Sequence, residues 1–114
     1  MTDKIKISLA QLNPTLGDIN GNMALARKAR AEAAAQGADV ILFSELFVVG
    51  YPPEDLVLKP ALQADARTAV EALAKETVTG PGVLIGTPWV EDGRLYNAMA
   101  YLDGGVVKAL RYKV

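Results

Sequence analysis

Glu45 follows, one residue on, a continuous apolar run of Val40, Ile41, Leu42 and Phe43, and its other neighbours Leu46 and Phe47 are apolar too. A run without polar alternation reads as a strand covered on both faces, and open α/β sheets place ligand crevices at the carboxyl ends of such strands. Partial desolvation there would raise the carboxyl pKa toward neutrality and suit Glu45 to take a proton from a weak acid such as a thiol. The same spacing also fits a solvated glutamate at a strand end, and the residues alone leave both readings open. The chain has no cysteine and no histidine, which excludes disulfides, a cysteine nucleophile, a Ser-His triad and the usual zinc sites from this segment. Any nucleophile served by Glu45 must come from elsewhere.

A length of 114 residues, 51% of them hydrophobic, suits one globular domain. Twelve basic and 13 acidic residues leave a net charge of −1, and no block of like charge points to nucleic acid or an anionic membrane. A small molecule or a protein is the expected partner. No apolar run approaches the roughly 18 residues of a membrane span, and the start, MTDKIKISLAQ, has neither an h-region nor a small-residue cleavage site. A cytoplasmic location is the expectation.

The elements that would position Glu45 follow in order. Ile5, Ile7 and Leu9 alternate with Lys4, Lys6 and Ser8, and the run continues to Leu12, which predicts a first strand ended by Asn13-Pro14. Asp18 is placed as the N-cap of an Ala-rich helix running through Gln36, with Gly37 as its stop. On this helix Arg27, Lys28 and Arg30 read as a solvated face. A second strand over Asp39 to Phe43 completes a βαβ unit, whose crossover should be right-handed. Gly50, Tyr51, Pro52 and Pro53 form a turn, and Glu54 and Asp55 fall in the first turn of a helical piece, where acids favour the dipole. Pro60 separates a brief helical segment from a longer helix with Leu62, Ala66, Ala69, Val70 and Leu73 on its packing side. Thr79-Gly80-Pro81-Gly82 reads as a turn and not a phosphate loop, since no strand precedes it and no Gly-Lys-Ser/Thr follows. Val83 to Val90, the Asp92-Gly93 turn, Leu95 to Leu102, the Asp103-Gly104-Gly105 turn and Val106 onward predict a three-strand antiparallel meander. In that last strand Lys113 alternates onto one face with Val107, Ala109 and Arg111, and by itself reads as an ordinary strand lysine. Because the sequence ends inside this strand, the expectation is the front part of a larger sandwich.

The stretches IKISLAQLNPTLGDINGNM, ADVILFSELFVVGYPPEDLVLKP and GRLYNAMAYLDGGVVKALRYK resemble the nitrilase, or carbon-nitrogen hydrolase, superfamily. More narrowly they look like the glutaminase domains of bacterial glutamine-dependent NAD synthetases, with GYPPEDL the most specific piece. The similarity covers essentially all 114 residues. It implies part of an α-β-β-α sandwich, with residues 1–114 the amino-terminal portion of the glutaminase domain. The rest of that domain and an ATP-using synthetase domain would lie outside the chain. Carried over by position, the family's general base falls on Glu45 and its catalytic lysine on Lys113. The nucleophilic cysteine and an assisting second glutamate would come after Val114. The resemblance further implies glutamine as substrate, homo-oligomers, and ATP with magnesium only in the synthetase part, whose Ser-Gly-Gly-x-Asp-Ser loop does not occur here. This segment itself is expected to need no cofactor. Tyr51 and Phe47 either shape the pocket wall or simply pack. A stand-alone amidase or carbamoylase of the same superfamily, or a non-catalytic interaction module, are the competing readings.

Overall fold

Asp18 starts the first helix by accepting a hydrogen bond from the Gly21 amide at 3.0 Å, which satisfies one of the amides a helix start leaves without a partner. The computed structural model describes residues 4–51 and 54–113. Its elements are β1 (Ile7–Leu9), α1 (Ile19–Ala35), β2 (Val40–Leu42), a 3-10 segment (Glu54–Leu58), α2 (Pro60–Glu76), β3 (Gly82–Glu91), β4 (Arg94–Asp103) and β5 (Val106–Tyr112). Pro52 and Pro53, half of the expected turn, lie outside the described residues. The five strands form one sheet in the order β1-β2-β3-β4-β5.

Two parallel crossovers build the first half of the sheet. β1 pairs with β2 as the βαβ reading requires, and β2 also pairs in parallel with β3, Val40 opposite Gly82 and Leu42 opposite Leu84. The meander is therefore joined to the start through a second βαβ unit containing α2, which the sequence pattern did not reveal. β3, β4 and β5 run antiparallel as expected. The Asp92-Gly93 turn puts Asp92 at φ 52° and Gly93 at φ 75°, the positive angles that tight hairpins favour. β1 is shorter than expected, because among the described residues its one backbone tie to β2 beyond Leu9 is the Ala10 amide on the Leu42 carbonyl at 2.9 Å.

Both helices cover one face. Met23, Ala26 and Ala33 of α1 and Ala66, Val70, Leu73 and Ala74 of α2 share a buried core with Ile41, Val83, Ile85, Ala98, Ala100 and Leu102, which occupy alternate strand positions. The small alanines let the helices approach the sheet closely. The opposite face is open at β1, where Ile7 is 52% and Leu9 65% exposed. Consistent with this, Val40 and Leu42 are only half-buried, so β2 is covered on one face and not on both. Arg27 and Arg30 do more than face solvent: Arg27 pairs with Glu76 at the end of α2 at 2.7 Å, and Arg30 donates to the carbonyls of Thr79 and Pro81 in the turn that follows, clipping α1 to both. As an exposed pair, Arg27–Glu76 contributes about 0–1 kcal/mol. Among the described residues no helix is long and apolar enough to cross a membrane.

Candidate active site

Glu45 lies three residues past β2, in a turn flanked by deeply buried side chains: Phe43, Phe47, Val48 and Val49 are essentially inaccessible. Each such burial is worth about 1.5–3 kcal/mol, which outweighs the roughly 1–2 kcal/mol cost of holding Leu46 at φ 53°. Phe47 packs on Phe43 with ring centroids 5.0 Å apart, so its role is packing, whereas Tyr51 is exposed. Two contacts lock the turn from below. Gly86 on β3 runs so close that a Cβ there would sit 2.3 Å from the Leu46 nitrogen and 2.5 Å from the Ser44 carbonyl oxygen, which only glycine allows. Asn22, fully buried on α1, donates to the carbonyls of Thr15 and Val48 and accepts from the Thr15 amide, tying the β1–α1 loop to the turn.

The turn presents the Glu45 carboxylate to Lys113, 68 residues further on, whose ammonium donates to Oε1 at 2.8 Å. The main chain of Lys113 is held by its amide donating to the Asn97 carbonyl at 2.8 Å. Beside it, Tyr112 stacks on Tyr96 with centroids 4.2 Å apart, ordering the end of β5. The face on which Lys113 lies differs from the simple alternation. A bulge at Lys108 pairs Ala109 with Tyr101 but Val107 with Leu102, so Arg111 and Ala109 share its face while Val107 packs into the core.

The charges of the pair are set by each other. The Lys113 hydrogen bond, then that of Asn97, and the lysine's charge hold the Glu45 carboxyl below its usual value, outweighing the upward push of burial. The expected upward shift is thus reversed, because the Glu45 side chain is 37% exposed and two donors serve it. Lys113, 67% exposed, is raised, first by its hydrogen bond to Glu45 and then by that carboxylate's charge. At neutral pH the site is an ionised carboxylate beside an ammonium. It can accept a proton at the one and stabilise a developing negative charge at the other.

Two shallow clefts meet at Glu45. One, of about 380 Å³, is lined by Asn97, Met99, Arg111 and Lys113; the other, of about 360 Å³, by Leu9, Gln11, Leu42 and Ser44. A larger hollow of about 450 Å³ between the start of α1 and α2 is lined by Asp18, Asp65 and Thr68, with no basic side chain among the described lining residues. Among the described residues no three acidic side chains gather as a metal site would require.

The sequence pattern of the carbon-nitrogen hydrolases matches residues 6–113, nearly the whole chain. The chain belongs to the carbon-nitrogen hydrolase family. Within that family it is 44% identical to a glutamine-dependent NAD(+) synthetase of Rhodobacter capsulatus, over 98% of this chain and 21% of the relative. Its fold superposes on the glutamine-dependent NAD+ synthetase of Acinetobacter baumannii with a TM-score of 0.88 at 35% identity, covering 96% of this chain and 20% of that one. A variant of the Nesterenkonia amidase, whose active-site cysteine has added acrylamide, superposes at 0.83 with 26% identity, covering 97% of this chain and 44% of the amidase. The chain thus spans about a fifth of the length of the synthetases it matches. It shows part of the hydrolase fold of those relatives, a mixed five-strand sheet with two α-helices.

The structure brings Glu45 and Lys113 into contact and adds Asn97, Asn22 and Gly86, which the sequence reading does not single out. Each carries a signal that could have found it. Asn97 is an amide inside a strand, where asparagine is disfavoured, and Gly86 is a glycine inside a strand, which often marks a close backbone approach. Asn22 is a polar residue on the packing side of an Ala-rich helix.

Proposed function

We propose that this chain is the amino-terminal portion of a glutaminase domain, residues 1–114, in a glutamine-dependent NAD synthetase. The domain would release ammonia from glutamine for ATP-dependent amidation of nicotinic acid adenine dinucleotide. The observation that carries the chemistry is the Lys113–Glu45 contact of 2.8 Å at the meeting point of two clefts. An exposed ion pair adds little to stability, so a structural reason for it is weak. The 44% identity to a named synthetase favours glutamine as the amide.

In this reading Glu45 is the general base and takes the proton of a cysteine thiol supplied by chain beyond Val114. The thiolate attacks the side-chain amide carbon of glutamine, and the Lys113 ammonium stabilises the oxyanion of the tetrahedral intermediate. Collapse breaks the carbon–nitrogen bond, and Glu45 returns its proton to the leaving ammonia. A water then gives its proton to Glu45 and attacks the thioester, and Glu45 passes that proton to the departing thiolate, releasing glutamate and restoring the thiol. Burial under further chain would add desolvation to Glu45 and lift its proton affinity toward that of a thiol. ATP and magnesium are assigned to a synthetase domain, not to the residues of this chain. A cytoplasmic homo-oligomer is the proposed assembly.

The fit to the Nesterenkonia amidase favours a second reading, a stand-alone amidase with the same pair. The test is to supply the full-length protein with nicotinic acid adenine dinucleotide, ATP and magnesium, and with glutamine or ammonium as nitrogen donor. NAD formation from both donors supports the synthetase; amide hydrolysis without NAD formation overturns it in favour of the amidase.

A further inference from the structure

Glu45 receives two donors on the same oxygen. Lys113 Nζ and Asn97 Nδ2 both donate to Oε1, and among the described residues nothing donates to Oε2. The two donors differ in what they can do. Lys113 is a flexible, 67% exposed side chain that answers to charge, so its hold weakens when the carboxylate takes a proton. Asn97 is a neutral amide on a short stem, half-buried in the middle of β4. Its N–H can donate to Oε1 whether Oε2 is bare or carries a proton.

Asn97 also holds the partner. Its carbonyl accepts the Lys113 amide at 2.8 Å, so one residue fixes the lysine through its main chain and the glutamate through its side chain. Strand propensity does not favour an asparagine here. Its same-face neighbours Met99 and Tyr101 are apolar or aromatic, so packing does not call for an amide either.

We propose that Asn97 is the positioning residue of the site, occupying Oε1 of Glu45 through the proton-transfer cycle and leaving Oε2 as the oxygen that takes and returns the proton. This rests on Glu45 being the base. Without Asn97 the carboxylate would keep only the flexible, exposed Lys113 as donor, and a misplaced base costs rate more than affinity.

The test pairs Asn97→Leu, close in size but without a donor, with Asn97→Asp, which puts an acceptor where the donor was. In the full-length protein, carbon-detected NMR titration of the Glu45 carboxyl should move to higher pH in Asn97→Leu and further in Asn97→Asp, where two acids would share the site. In the full-length protein, glutamine-dependent kcat should fall roughly tenfold to a hundredfold with little change in KM, and the acid limb of its pH profile should move up. Ammonium-dependent NAD formation should stay unchanged. If Asn97→Leu fails to fold, Asn97→Asp carries the titration alone. An unchanged Glu45 titration in a folded variant, or a loss in KM only, would overturn the role of Asn97. Full turnover in Glu45→Gln would instead overturn the base assignment, and the two failures are told apart because the titration does not depend on turnover.

Discussion

At Glu45 the hydrogen bonds from Lys113 and Asn97 win over desolvation, and this has a consequence for stability. A carboxyl held below its usual value contributes stability that is present above the unfolded value near 4.5 and is lost as pH falls through the folded one. Lys113 is raised, so its share is present below its unfolded value near 10.5 and is lost as pH rises through the folded one. Urea unfolding of wild type and Glu45→Gln should therefore show a small difference that is constant from about pH 6 to 9 and vanishes in acid; a difference that grows on acidification would contradict the pairing. Asn22 is a larger lever. Asn22→Leu removes three hydrogen bonds in a fully buried place, and should cost about 1–3 kcal/mol by the same unfolding measurement; an unchanged midpoint would show that the turn does not depend on it. The apolar run singles out Glu45 as a candidate, only the family resemblance points to Lys113, and nothing in the sequence points to Asn97 as their common partner. No spacing rule joins residues 45, 97 and 113, which meet only once the meander has folded.

The elements were legible where local chemistry decides them. Asp18 and Gly37 bound an Ala-rich helix, Pro60 opens α2, and Asp92-Gly93 makes a hairpin, all by the residues' own backbone preferences. Pairing between distant segments was not legible, which is why the parallel β2–β3 contact and the bulge at Lys108 came as findings. β3 is the element on which the site most depends, since Gly86 lets its backbone lie directly beneath the Glu45 turn. Gly86→Ala would force that turn outward, at a cost of about 1–3 kcal/mol. The expected outcome is a lowered unfolding midpoint together with altered Glu45 and Leu46 amide shifts. Wild-type shifts in Gly86→Ala would show that the approach is looser than the geometry implies.

Across the whole molecule, one face of the sheet carries both helices and the other leaves Ile7 and Leu9 of the edge strand β1 exposed. Apolar residues on an unpaired edge promote association, so the 114-residue chain should sediment as a concentration-dependent mixture; a monodisperse monomer that unfolds cooperatively would contradict this. By itself the chain should release no glutamate from glutamine, because it contains neither a cysteine nor a histidine to activate Ser8 or Ser44. The central claim concerns Glu45 and Lys113 in the full-length protein. Its most direct test is steady-state NAD formation by wild type, Glu45→Gln and Lys113→Ala, with glutamine and then with ammonium on the same preparations. Both variants should lose glutamine-dependent synthesis by about a hundredfold or more while keeping ammonium-dependent synthesis. Near-normal glutamine-dependent rates in Glu45→Gln would contradict the assignment of the base, and equal loss with both nitrogen donors would show that the pair maintains the fold and does not carry out the chemistry.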